Sequence, residues 1–231
     1  MSTAATPSAN TTEPSAATLN VDVVSDVVCP WCYIGKRKLE AALAKLAGDE
    51  PTFAVTVRWH PFELNPDLPA QGLPRAAYLE AKFGGRARAD KIYARVRAVG
   101  ADAGIPFAFD RIRLQPNTRD AHRLIAWAQL RGDAGALVEG LFRAYFVEGR
   151  FLGDREELVA VATDTGLPAE ESRAMLVSEA YRTEVAAEYR EAQDAGITGV
   201  PFFIFNGRTA VSGAHDPDTL LEAIAAARAN A

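Results

Sequence analysis

The chain has 231 residues, 48% hydrophobic and 24% charged, enough to bury one sizeable core or one domain carrying a large insertion. Its net charge of −5 and pI near 5.3 argue against nucleic acid or an anionic membrane as the main partner. No apolar run approaches the roughly 20 residues of a membrane span.

Residues 1–18 are mostly Ser, Thr, Ala and Pro, with Glu13 the single charge and no apolar h-region. They predict a disordered tail and no export signal, and so a cytoplasmic, reducing location. Leu19 to Ser25 alternates and is rich in Val, which predicts a strand. A helix is expected from Pro30 to Ala47, with Trp31, Ile34, Leu39, Ala42, Leu43 and Leu46 at helical spacing, Pro30 at its first position and Gly48 at its end. Thr52 to Trp59 alternates again, with Phe53, Val55, Val57 and Trp59 on one face. The opening is therefore a β-α-β unit.

From Pro74 to Ala195 the periodicity is helical. Asn117 is expected to cap a helix carrying Ala121, Leu124, Ile125 and Ala128, with Asp120 completing a capping box. A further helix places Leu137, Leu141, Phe142 and Tyr145 on one face, and Arg155 to Thr165, Glu170 to Val177 and Glu179 to Ala195 predict three more. Strand character returns at Pro201 to Phe205, followed by the hairpin signal Asn206-Gly207 and a strand at Arg208 to Val211. The last helix runs from about Pro217 to Ala229. The fold class expected is α/β with a large all-helical insertion between the β-α-β and β-β-α halves, and with Cys29 and Cys32, separated by two residues, at the head of the first helix this is the arrangement of a thioredoxin fold. Its expected parts are residues 19–73 with 196–231, and the insertion 74–195.

The chemistry is concentrated in Cys29-Pro30-Trp31-Cys32. These are the only cysteines, so an intrachain disulfide must join them. So short a loop restrains little of the unfolded chain, and chemistry explains the pair better than stapling does. Zinc as a structural ion usually takes four protein ligands, and only two thiols and the scattered His60, His122 and His215 are present. Tyr33 after Cys32 excludes covalent haem attachment, and no Gly-rich phosphate loop or dinucleotide fingerprint occurs. No cofactor is expected.

Ser25-Asp26-Val27-Val28-Cys29-Pro30-Trp31-Cys32-Tyr33-Ile34-Gly35-Lys36 resembles the DsbA-like thioredoxin superfamily, most closely its FrnE-type branch. Further matches are Trp59 to Pro66, Asn117-Thr118 with Ala121 to Leu124, Gly199 to Phe203, and Ser212-Gly213-Ala214, in chain order over about Leu19 to Ala227. The resemblance implies a protein disulfide oxidoreductase and a cis Val200–Pro201 bond facing the cysteines. It also implies kinship with 2-hydroxychromene-2-carboxylate isomerases and kappa-class glutathione transferases. Those typically carry Ser at the position of Cys29 and use glutathione.

On this reading Cys29 is the nucleophile, its thiolate stabilised by the positive end of the helix, and Cys32 is the buried resolving thiol. Pro30 starts the helix. Trp31 either contacts substrate or packs on the insertion, and its lack of charge predicts a potential between about −120 mV (DsbA) and −270 mV (thioredoxin). The Val200 backbone next to Pro201 would pair with an extended substrate. Asp26 is a proton acceptor near the buried thiol or a plain turn carboxylate; His122 is a hydrogen-bonded core group; His215 lies in a loop that could approach the thiols or glutathione. Pro61 to Pro66 either lines the cleft or only connects the lobes. The partners implied are a disulfide- or dithiol-containing protein and glutathione or another thiol reductant, with no nucleic acid and no membrane. A glutathione-dependent isomerase or transferase, in which Cys29 holds glutathione as co-substrate, is the alternative.

Overall fold

In the computed structural model, residues 18–51 and 53–229 are described. Most of the expected tail, residues 1–17, lies outside them; Thr18, placed in that tail, instead starts the first strand. The strands are β1 (Thr18–Ser25), β2 (Ala54–Pro61), β3 (Leu73–Pro74), β4 (Leu114–Gln115), β5 (Phe202–Phe205) and β6 (Thr209–Ser212). The helices are α1 (Pro30–Asp49), α2 (Arg75–Phe83), α3 (Arg86–Asp102), α4 (Arg119–Gln129), α5 (Gly135–Arg143), α6 (Arg155–Asp164), α7 (Ala169–Val177), α8 (Arg182–Asp194) and α9 (Pro217–Ala229). A π-turn, Ala144–Glu148, prolongs α5. No helix among the described residues is long and apolar enough to cross a membrane.

The main sheet has the order β2-β1-β5-β6, with β1 parallel to β2 and antiparallel to β5, and β5 antiparallel to β6. Central placement explains why β1 is so rich in Val: Val21, Val23 and Val24 are all buried, as a strand covered on both faces requires. Register then sets the site. Ser25 pairs with Pro61 and Val24 with Phe202, so the end of β1, the end of β2 and the start of β5 meet at one edge of the sheet. The Cys turn, the loop after Pro61 and the Val200–Pro201 step are brought together there.

The second strand, expected over 52–59, runs from Ala54 to Pro61, and three helices also differ from expectation. Gly48 does not end α1, which continues to Asp49 with Glu50 as its C-cap; a Cβ at Gly48 would meet nothing within 4 Å. The N-cap of α4 is Thr118 rather than Asn117, and no capping box forms: Asn117 Oδ1 accepts from the Arg119 amide at 3.0 Å, while Asp120 pairs with Arg123 and Arg155. Helix α8 starts at Arg182 rather than Glu179 because Tyr181, at φ 61°, leaves the right-handed region. The helical stretch also carries the short β3–β4 ladder, pairing Leu73 with Gln115.

One hydrophobic core runs through both the sheet and the helical stretch. Its hinge is aromatic. Tyr33 of α1 stacks on Phe142 of α5 (centroids 5.0 Å apart, planes 8° apart), and Phe146, Phe107 and Phe109 extend the column to Tyr93 of α3. Each such pair contributes about 0.5–1.5 kcal/mol beyond area burial.

Candidate active site

Cys29 is the N-cap of α1, with extended backbone (φ −93°, ψ 114°), and no side chain caps the helix. Pro30 follows at the first helical position, where its missing N–H leaves nothing unsatisfied. The Cys29 carbonyl accepts the first helical bonds from the Cys32 and Tyr33 amides, while its own amide donates to the Asp26 carbonyl at 2.9 Å. This tight turn fixes the sulfur at the end of the helix where partial positive charge collects. Both thiols are free.

The two sulfurs have different surroundings. The Cys29 thiol donates to the Val200 carbonyl at 3.5 Å, across 171 positions of sequence. Cys32 is 1% exposed. Burial pushes its thiol well above the ordinary value, the adjacent Cys29 acts the same way, and the Ser25 hydroxyl and the Asp26 backbone oppose both.

The Val200–Pro201 peptide bond is cis. Pro201 packs directly on α1: a Cβ at Gly35 would stand 2.8 Å from Pro201 Cγ and 3.1 Å from Phe203 Cζ. Gly35 is thus the contact that seats the thiol helix against β5. A glycine inside a helical pattern, which costs about 1 kcal/mol relative to Ala, is the sequence signal for such a close approach.

Asp26 is fully buried, and its carboxylate accepts from the Leu64 amide at 2.8 Å and the Val28 amide at 3.4 Å. Its carboxylate thus holds the turn, while its backbone carbonyl meets the Cys29 amide. His122, expected in the core, is there: its Nε2 stands 3.2 Å from the Phe62 carbonyl and 3.6 Å from Asp26 Oδ1. That last contact, between residues 96 positions apart, has no signature in sequence. The loop from Pro61 to Pro66 connects the lobes: Glu63 is buried and ion-paired with Arg119 at 3.0 Å, and Asn117 donates to the Pro66 carbonyl.

Trp31 is half-buried and packs against the core. His215 is exposed and bonds the Ser212 carbonyl at 2.9 Å. Its loop nonetheless adjoins the site, because the Gly213 amide donates to the Pro201 carbonyl at 2.8 Å. The structure therefore groups Cys29, Pro30, Cys32, Asp26, Val200 and Pro201, and adds Ser25, Gly35 and His122.

Away from the sulfurs, α1 is tied to α5 by charge. Glu139 accepts from Tyr33 Oη at 2.6 Å, Lys36 Nζ at 2.9 Å and Arg37 Nη2 at 2.5 Å, and Lys36 also pairs with Glu40. Burial, with the hydrogen bond to Glu139, pushes the Tyr33 phenol up to about 12.

The chain is similar to known proteins over most of its length. A probable DsbA oxidoreductase from Streptomyces coelicolor is 36% identical and superimposes with a TM-score of 0.82, covering 92% of this chain and 91% of that one. A 2-hydroxychromene-2-carboxylate isomerase superimposes with a TM-score of 0.63 at 20% identity, covering 91% and 95%. The cytosolic disulfide reductase DsbM from Pseudomonas aeruginosa, solved with GSH, does so with a TM-score of 0.59 at 22% identity, covering 91% and 96%. At such identities the last two likenesses are of fold. Residues 20–225 match the DSBA-like thioredoxin domain as a family, and this chain belongs to it.

Proposed function

We propose that this chain is a thiol–disulfide oxidoreductase that exchanges disulfides with protein or small-thiol partners through Cys29 and Cys32. The observation that carries the reading is the asymmetry of the pair. Both thiols are buried, but Cys29 sits at a helix N-terminus that no side chain caps, its thiol on the Val200 carbonyl, whereas Cys32 lies one turn on inside the helix with burial holding its proton in place. A pair built for stability needs no such difference; a nucleophile and a resolving thiol do.

In the reductive direction the Cys29 thiolate attacks one sulfur of a substrate disulfide, and the other sulfur leaves with the bonding electron pair. Cys32 then loses its proton and attacks the Cys29 sulfur, releasing the second substrate thiolate and closing the Cys29–Cys32 disulfide. Two electrons pass from the pair to the substrate, and a thiol reductant such as glutathione restores the dithiol. The reverse sequence oxidises a dithiol. In this reading the Val200 backbone, whose carbonyl accepts from the Cys29 thiol at 3.5 Å, would pair with an extended peptide, as in strand addition. This reading puts the protein in a reducing, cytoplasmic setting and agrees with the assignment carried by the Streptomyces relative.

The test is reduction of insulin and of a small aromatic disulfide by wild type, Cys29→Ser and Cys32→Ser, with glutathione as reductant. Both variants should fall to the buffer rate. Turnover of a small aromatic substrate that needs glutathione and survives Cys32→Ser would replace this reading with the isomerase or transferase one.

A further inference from the structure

Charge is spread unevenly along this chain. Residues 75–113, which hold α2 and α3, carry nine Arg and Lys against four Asp and Glu, a net of +5 within a chain of net −5. Residues 154–194, which hold α6 to α8, carry eleven Asp and Glu against four Arg, a net of −7. The basic segment is also left largely unpaired. Among the described residues Arg86 is its one Arg or Lys in an ion pair, 3.6 Å from Asp90. Elsewhere most cations are paired, among them Lys36, Lys38, Arg119, Arg150, Arg173 and Arg228.

Helix α3 buries Ala89, Tyr93, Val96 and Gly100 and leaves Arg88, Lys91, Ile92 and Arg95 exposed. Those four lie at i, i+3, i+4 and i+7, one stripe of a helix, with the apolar Ile92 (46% exposed) among three cations. A phosphate polymer needs no such apolar centre, whereas a protein interface is built around one. The same chain carries a counterpart. A groove of about 800 Å³ runs between the edge strand β2, the end of α4 and the start of α8. It is lined by Val55, Val57, Leu130, Asp133, Glu184 and Glu188, and Arg58 is its one Arg or Lys. Of the three carboxylates Glu188 alone has an ion-pair partner among the described residues, His60 at 3.0 Å. The described residues expose three large apolar side chains, Ile92, Leu130 (73%) and Val177; one sits on the basic stripe and one in the acidic groove.

We propose that copies of this chain associate head to tail, the stripe of Arg88, Ile92 and Arg95 on one seated in the groove of the next. Ile92 meets Leu130 and the β2 valines, and the cations meet Asp133, Glu184 and Glu188. Arginine suits this role because its planar fork matches a carboxylate. The contact is heterologous, since it joins two different patches. One helix in one groove makes a small interface, so the association is weak and, being charged, yields to salt. The inference goes beyond the redox reading and does not depend on the chemistry of the thiols.

Sedimentation of the full chain tests it. At about 0.05 M salt the weight-average mass should climb above the 24.8 kDa of one chain between about 5 and about 200 µM, and at about 0.5 M salt it should fall back to that value. Arg88→Glu with Arg95→Glu spoils the stripe, and Leu130→Arg with Glu184→Arg spoils the groove. All four side chains are exposed and make no ion pair among the described residues, so both variants should keep the wild-type circular dichroism. Each alone should stay a monomer where wild type associates. Mixed in equal amounts they should associate again, because one keeps the groove and the other the stripe. Association that survives in either folded variant, or a mixture of folded variants that stays monomeric, overturns the proposal. The wild-type arm decides without them: a chain that stays monomeric at low salt overturns it, including one whose stripe binds an acidic peptide or single-stranded RNA instead.

Discussion

The two faces of α1 are held by different physics. Toward β5 the fit is steric: Gly35 lies against Pro201 and Phe203 with no room for a methyl group, and Ile34, Leu39 and Ala42 are buried. Toward α5 the Tyr33 ring stacks on Phe142 and charge gathers at its rim, where Lys36, Arg37 and Tyr33 converge on Glu139, with Glu40 beside them. Close-packed contacts have one geometry, whereas long charged side chains tolerate several. The Gly35 contact therefore seats the thiol helix against β5, and the ionic cluster adds a looser tie to the helical lobe beside the Tyr33–Phe142 stack.

The largest effect should come from breaking the rigid face. Gly35→Val forces α1 away from Pro201 and should cost roughly 2–3 kcal/mol, read as a fall of about 5–10 °C in melting temperature. The thiol turn moves with α1, so disulfide reductase activity should drop with it. An unchanged melt and rate would refute the steric half of the comparison.

On the ionic face the sign of the charge removed should matter. Glu139→Ala leaves Lys36, 3% exposed, with only a half-exposed Glu40 for company, and should cost about 2 kcal/mol by chemical denaturation. Lys36→Met removes the buried cation and leaves Glu139 with Arg37, so it should cost about 1 kcal/mol or less. Equal losses in the two variants would show that packing, not charge, holds this face. In both, Cys29 alkylation should change little.

The smallest effect concerns a third tie between the lobes. His60 bridges Asp22 of β1 and Glu188 of α8, and the hydrogen bond to Glu188, with that to Asp22, raises its imidazole above the ordinary value against the pull of burial. A raised folded value means the stabilisation is complete below about pH 6.5 and disappears as pH climbs through the folded value. His60→Gln should therefore lower the melting temperature at pH 6 and converge on wild type at pH 9. The ring is about a third exposed, so the difference should stay under about 1 kcal/mol. A gap that widens with pH would mean the tie acts in its neutral form.

Much of the frame was readable from local patterns. Alternation in Leu19–Ser25, the Pro after Cys29 and the Asn206-Gly207 turn each act within a few residues, and β1, α1 and the β5–β6 hairpin appear where those signals put them. The β3–β4 ladder escaped because two-residue strands have no period to detect. The late start of α8 escaped because it depends on the conformation of Tyr181 alone. At the site, Cys29 and Cys32 announce themselves by spacing, but the meeting of Asp26 with His122, and of Gly35 with Pro201, is made by tertiary packing. His215 shows the converse: it stands in a loop that touches the site, while its ring turns to Ser212.

The ring column from Tyr33 through Phe142 and Phe146 to Tyr93 means that the insert is not an accessory clipped onto a self-sufficient scaffold. Excising residues between β2 and β5 would strip Tyr33 of its stacking partners and expose the flank of the very helix that bears the sulfurs. Heat or denaturant should melt the molecule in a single transition, and protease should yield no surviving half. A substitution in the insert that disturbs this column is therefore felt at the helix that carries the sulfurs.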